Sequence, residues 1–396
     1  MAQEAIIERA KAHLLQNYRT QPVVIDRGLG TRVWDTDGKS YLDLLGGIAT
    51  CALGHCHPEV VKALKAQADK LWHISNVFYS QPQIDLAELL TSATGLERAF
   101  FCNSGAEANE AMLKLARKVQ KDRGQADRFE VICFENSFHG RTLATVTATG
   151  QTKYQKGFEP LPAGFLHVPY GELEAVKGAI SPRTAAILVE PIQGEGGVRP
   201  APEGFLRGLR ALCDQHGLLL LVDEIQTGMG RTGKLFAFQH EDVRPDAISV
   251  AKALGNGIPI GAMLCSEAAG KSLPAGTHGT TFGGNLLAVE AAKATFRLIA
   301  DPKMLQQVAE KGEYLLGQAR QLLQKHPQRL VAVRGRGLLV GVEVTGDAGQ
   351  VVTRCREGGL LVNLAGDRTV RFAPPFIVTR EELDEGLRIF EAAATA

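Results

Sequence analysis

Short apolar runs alternate with helical patterns through the middle of the chain, and this alternation limits the fold more than any other feature. Ala99–Asn103 (AFFCN), Glu130–Phe134 (EVICF), Ala186–Glu190 (AILVE), Leu218–Asp223 (LLLLVD), Asp246–Val250 (DAISV) and Ile260–Cys265 (IGAMLC) read as short buried strands. Gly105–Val119 places Ala108, Met112, Leu115, Ala116 and Val119 at helical spacing, and Gly204–His216 reads as a second helix ended by Gly217. Strand, helix, strand in succession implies an α/β fold with a mostly parallel central sheet and helices on both faces. Such sheets carry their sites at the carboxyl ends of the strands.

The flanks differ. Glu290–Ala300 and Lys303–His326 read as long helices, followed by short apolar segments at Gly337–Val344, Gly359–Asn363 and Thr369–Ala373. The expected organisation is therefore a large domain over 46–289 and a smaller α+β domain over 290–396. Residues 1–45, with an amphipathic helix and an Asp37-Gly38 hairpin signal, are expected to pack with the small domain. A length of 396 residues fits two or three domains.

Charge and cysteine content narrow the setting. Lys plus Arg number 44 and Asp plus Glu 43, so a formal charge of +1 offers no global attraction for nucleic acid or an anionic membrane. No stretch is long and apolar enough to span a bilayer. Glu, Arg and Lys interrupt the apolar residues of the N-terminus, unlike a secretory signal. Seven scattered cysteines without a CxxC pair read as free thiols in a reducing compartment, with the cytosol expected.

Two motifs point elsewhere and fail on context. Gly228–Gly233 (GMGRTG) fits G-x-G-x-x-G, but Glu224–Thr227 separate it from the strand and no helix pattern follows. Extended to GMGRTGKL it nearly fits a P-loop, yet Leu235 stands where a Mg²⁺-binding hydroxyl belongs. A glycine-rich turn is the better reading. Cys51, His55, Cys56 and His57 crowd together like zinc ligands, but no second ligand pair stands at finger spacing.

Four other segments each lie where a strand ends. In Asn103–Glu110, the amides at the start of a helix and the Ser104 hydroxyl form an anion site, although an ordinary helix cap also explains the serine. Asp223 and Glu224 follow four leucines and a valine, so a buried carboxylate there needs a cation or hydrogen bonds; a solvated loop explains Glu224 equally well. Lys252 ends another apolar strand, where desolvation lowers an amine's pKa and favours Schiff-base chemistry; a snorkelling surface lysine is the alternative. Gly279–Asn285 sets Thr280 and Thr281 among glycines, suited to phosphate contact or to a plain turn. A phosphate cradle, a buried carboxylate and a strand-end lysine together specify pyridoxal 5′-phosphate, which needs an anchor, an acidic partner for its ring nitrogen and an amine for its aldehyde.

These segments resemble the class III, fold-type I, pyridoxal-phosphate aminotransferases over almost the whole chain. The motifs are LWHISNVF at 71–78, NSGAEANEA at 103–111, NSFHGRT at 136–142, VEPIQGEGGV at 189–198, VDEIQTGMGRTG at 222–233, AKALGNGIPIGA at 251–262, HGTTFGGN at 278–285 and RFAPP at 371–375. The resemblance implies that Lys252 carries the cofactor, Asp223 pairs with its ring nitrogen, Gln226 bonds the ring 3′-oxygen and Phe138 stacks on the ring. A charge pair near 4 Å is worth about 4 kcal/mol at an effective dielectric of 20, which raises a pyridine pKa by roughly three units.

The resemblance also gives Ser104, Gly105 and Ala106 to the phosphate, and counts Glu224 and Ile225 with the cofactor contacts. Thr281 would reach the phosphate of a neighbouring subunit, implying a homodimer. Arg141 and Thr280 fall to the substrate, Arg141 on the α-carboxylate of an acetylated ornithine; a planar guanidinium grips a carboxylate bidentately. Arg371 would take the α-carboxylate of glutamate, with Glu195 as its alternate partner. The implied reaction is a ping-pong exchange between acetylornithine and 2-oxoglutarate, a step of arginine biosynthesis. Relatives acting on succinylornithine, ornithine, succinyl-diaminopimelate, 4-aminobutyrate or carrier-bound lysine share most of these motifs. An aminomutase would also keep Lys252 while needing no external keto acid.

Overall fold

The computed structural model describes residues 2–396. Its centre is a seven-stranded sheet in the order Arg98–Cys102, Gly261–Cys265, Ala247–Val250, Leu219–Asp223, Thr184–Val189, Glu130–Phe134, Phe165–Val168. Gly261–Cys265 runs antiparallel to both neighbours, and the other recorded pairings are parallel. The expected strands are present to within two residues. Phe165–Val168 was not anticipated, because FLHV is short and interrupted by a histidine.

Side-chain alternation explains the apolar runs. Leu219 and Leu221 face one layer of core with Met112, Leu115 and Val119, which lie on the helix Gly105–Asp122. Leu220 and Val222 face the opposite layer with Phe134, Phe205 and Leu209. A strand covered on both faces has no polar side to show, so it reads as a continuous apolar stretch.

A second, fully antiparallel sheet has the order Leu330–Arg336, Leu339–Val344, Thr369–Phe372, Asn363–Ala365. Arg371 lies opposite Gly341 on one side and Asn363 on the other. The early hairpin Arg32–Asp35 and Ser40–Asp43 turns at Asp37-Gly38 and joins a third sheet. Leu360–Leu361 completes that sheet by pairing parallel with Ser40–Asp43, which ties this hairpin to the C-terminal region. The helix Leu286–Ile299 runs straight through position 290 and packs on Pro58–Ala68 and Gln81–Thr94, both elements of the preceding part of the chain. The next helix, Pro302–Lys325, packs on Leu330–Arg336. The packing partners of successive helices therefore change near Asp301. No helix among the described residues is long and apolar enough to cross a membrane.

Candidate active site

A cavity of about 440 Å³ opens at the carboxyl ends of the central strands. Its wall includes Ser104, Gly105, Ala106, Phe138, Arg141, Glu195, Asp223, Ile225, Gln226 and Lys252, drawn from five separate segments. Each loop follows a strand of the sheet, so parallel packing is what brings these residues together.

Asp223 ends its strand on the same face as Leu219 and Leu221. There Asn109 Nδ2 donates to Oδ2 at 2.8 Å, and His139 Nδ1 lies 2.8 Å from the same oxygen. The Ile225 amide donates to Oδ1 at 3.0 Å, with the Ser249 hydroxyl at 3.4 Å. Asn109 also donates to the His139 carbonyl at 2.7 Å, which locks the two supports to each other. This answers the cost of burying a carboxylate behind an apolar strand.

Lys252 follows the strand Ala247–Val250 in a tight turn, with φ of +37°. A non-glycine residue held there is strained, a feature that clusters at functional sites. Burial lowers the Lys252 pKa, and Glu195 opposes that shift. Its amine makes no hydrogen bond among the described residues. Across the cavity, Ser104 caps the helix Gly105–Asp122 by accepting from the Glu107 amide at 3.2 Å. The amides of Gly105 and Ala106 have no partner among the described residues. A methyl group on Gly105 would meet Ile225 Cδ1 at 2.6 Å, so the helix start must be glycine for the two segments to approach.

Arg371 is fully buried, and its Nη1 donates to Glu195 at 2.6 Å, to Gln226 Oε1 at 2.8 Å and to the Gly194 carbonyl at 3.0 Å. Its Nη2 has no partner. Burial pushes the Glu195 carboxyl up, but Arg371 and then Lys252 outweigh it and hold the group below its usual value. Arg141 is exposed at the mouth, its guanidinium 3.8 Å from the centroid of Tyr154 and 5.4 Å from that of Phe138.

Three expected residues lie elsewhere. Glu224 is buried outside the cavity, accepting from the Thr227 hydroxyl at 2.5 Å and the Phe238 amide at 2.8 Å. Adjacent residues on a strand point to opposite faces, so Glu224 turns from the cavity that Asp223 enters. Thr280 stands at the edge, accepting from Asn103 Nδ2 at 3.2 Å. Thr281 is exposed beside His73 and Ser75, away from this chain's own cavity.

Three residues were missed by sequence reasoning. Glu190 accepts from the amides of Phe138 at 3.0 Å and Gly194 at 3.4 Å, and burial pushes its pKa well up, with Asp223 adding to the rise. His139 and Asn109 support Asp223. All three stand inside motifs noted above, but only the sheet order shows that Asn109 and His139 reach the strand ending in Asp223. Of the discarded zinc cluster, His55 pairs with Asp43 at 2.7 Å.

The chain belongs to the class-III aminotransferases: the model of that family matches residues 15–394. Its architecture is the fold-type I arrangement of these enzymes. It is 70% identical over 96% of its length to the acetylornithine aminotransferase of Myxococcus xanthus, covering 95% of that protein. The N-acetylornithine aminotransferase of Stenotrophomonas maltophilia superposes with a TM-score of 0.85 at 40% identity, over 98% of each chain. The ornithine aminotransferase of Toxoplasma gondii, in a structure with partial occupancy of PLP at its active site, superposes with a TM-score of 0.94 at 35% identity. That match covers 98% of this chain and 94% of the other.

Proposed function

We propose that this chain transaminates N2-acetyl-L-ornithine with 2-oxoglutarate, giving N-acetyl-L-glutamate 5-semialdehyde and L-glutamate in arginine biosynthesis, with pyridoxal 5′-phosphate as cofactor. The near full-length 70% identity to the Myxococcus enzyme carries the choice of substrate.

The cavity fits the cofactor. The free amides of Gly105 and Ala106 and the Ser104 hydroxyl suit a phosphate. The anchored carboxylate of Asp223 suits a protonated ring nitrogen, and the buried amine of Lys252 suits an aldehyde. Phe138, Ile225 and Gln226 would complete its setting. When bound, the cofactor supplies the electron sink that makes a substrate C–H acidic.

The chain's own residues supply the rest. Lys252, with its pKa lowered by burial, takes a proton from the substrate carbon and returns it as the acid. Asn109 and His139 keep the Asp223 carboxylate fixed in place. Arg141 takes the carboxylate of acetylornithine at the mouth. Arg371, paired with Glu195 while the monocarboxylate donor is bound, takes the α-carboxylate of glutamate when Glu195 swings away. The partnerless Nη2 of Arg371 supports this reading, because a buried donor without a partner is costly and a carboxylate would satisfy it.

The working unit is a homodimer. Trp72, Val77, Phe78, Tyr79 and Phe282 are exposed around Thr281, and a second copy covering them would bring Thr281 to its partner's cavity. A panel of amine donors with 2-oxoglutarate tests the substrate. Acetylornithine should exceed ornithine in kcat/KM by at least tenfold, about 1.4 kcal/mol of transition-state binding. Near-equal values would refute the choice, and turnover without a keto acid would indicate a mutase.

A further inference from the structure

The turn Gly228–Gly233, set aside as a nucleotide motif, contains a cation that the chemistry above leaves unused. Arg231 is fully buried, and no carboxylate lies within salt-bridge distance of it among the described residues. Its Nη1 donates to the Pro374 carbonyl at 2.6 Å and to the Leu338 carbonyl at 3.0 Å. Its guanidinium lies 4.5 Å from the centroid of Phe376, and Nε and Nη2 have no partner. Burial, then repulsion from Arg371, brings its pKa down to about 9. A buried cation without a counter-charge is destabilising, so a purely structural clamp would be better made from a neutral donor.

The two carbonyls it holds are informative. Leu338 directly precedes the strand Leu339–Val344, and Pro374 follows the neighbouring strand Thr369–Phe372 that carries Arg371. One nitrogen thus fastens the ends of both strands, and the Leu338 amide answers by donating to the Arg231 carbonyl at 3.0 Å. The approach is close: Gly337, at φ +56°, leaves only 2.6 Å between a would-be Cβ and that same carbonyl oxygen. Arg231 also lies eight residues after Asp223 and five after Gln226, whose side chain accepts from Arg371. A single segment therefore holds the group meant for the cofactor ring, a contact to Arg371, and the clamp on the strand bearing Arg371.

We infer that Arg231 is a positioning residue that sets the place of Arg371 relative to Asp223, and so governs affinity for the dicarboxylic substrates while leaving the acyl-ornithine side of the site alone. The inference rests on the reading of Arg371 as the dicarboxylate-binding group. Arg141 sits on Phe138 and Tyr154, outside the clamped sheet, which is why the donor should be spared.

The two half-reactions, measured separately on the holoenzyme, test it in Arg231→Met, Arg231→Lys and Arg371→Ala. Arg231→Met should raise KM for 2-oxoglutarate about tenfold, as expected for two lost charge-assisted hydrogen bonds, with KM for acetylornithine changed less than about twofold. Arg231→Lys, which keeps the charge and hydrogen-bond donors but not the planar guanidinium, should fall between, and it carries the test if the methionine variant does not fold. Glutarate, an unreactive dicarboxylate, should raise Tm in the parent and much less in Arg231→Met. Parallel loss in both half-reactions, or loss in neither, would overturn the inference. If Arg371→Ala is selective for 2-oxoglutarate and Arg231→Met is not, only the role of Arg231 fails. If Arg371→Ala is not selective, the reading of Arg371 fails and the inference fails with it.

Discussion

Asp223 and Glu224 are neighbours with opposite fates. Asp223 enters the cavity among four hydrogen-bond partners, while Glu224 is buried on the other side with Thr227 and Phe238. Burial pushes the Glu224 carboxyl up to about 7, partly offset by its hydrogen bonds. A carboxyl raised in the fold binds its proton more tightly there than in the unfolded chain. Its contribution to stability is complete at acid pH and is lost as pH rises from about 4.5 through about 7. That loss amounts to roughly 3 kcal/mol at 1.36 kcal/mol per unit. Glu224→Gln should flatten the decline of stability across this window, as read by denaturant melts at several pH values; an unchanged slope would show that Glu224 does not titrate there. Glu224 also marks where sequence reading stops at this scale. Acidic residues after an apolar strand stand out in a sequence, but which of two adjacent ones faces the site depends on strand phase. Lys252 was readable because strand end, apolar wall and glycine turn coincide at one position. Glu190 was not, since its role depends on amides of Phe138 and Gly194 that sequence spacing cannot place beside it.

At the scale of elements, most of the central sheet was legible. Strands covered on both faces leave long apolar words such as LLLLVD, and the glycine after a helix marks its end, as Gly217 does at φ +66°. The helix Gly105–Asp122 was readable for the same reason: its apolar positions repeat at helical spacing, and Ser104 caps it. The C-terminal sheet was harder. Leu330–Arg336 is half-exposed and contains Gly335, so it lacks both signals. The helix Leu286–Ile299 is uniform in pattern, so its sequence says nothing of which layer it joins. The pairing of Leu360–Leu361 with Ser40–Asp43 links residues more than 300 apart, and two leucines carry no sign of their partner.

At the scale of the molecule, the exposed apolar segment at 72–79 and the Gly279–Asn285 loop are held together. Asn76 donates to the Gly283 carbonyl at 2.9 Å, and His73 packs on Phe282. Leaving this surface in water is unfavourable, and a second copy is what the account places there. Phe282→Asp should shift the particle from dimer toward monomer in light-scattering measurements and weaken cofactor retention on dialysis, because Thr281 would no longer reach the partner's cavity. A parent protein monomeric at micromolar concentration would contradict this. The wider claim is that loops from five parts of the chain converge so that one lysine becomes the covalent seat of a pyridoxal phosphate enzyme. Borohydride reduction of the purified yellow protein, followed by peptide mass mapping, tests that claim most directly. The account predicts a single phosphopyridoxyl adduct on the peptide containing Lys252, with none in Lys252→Ala. An adduct on another lysine, or no adduct in the parent, would contradict it.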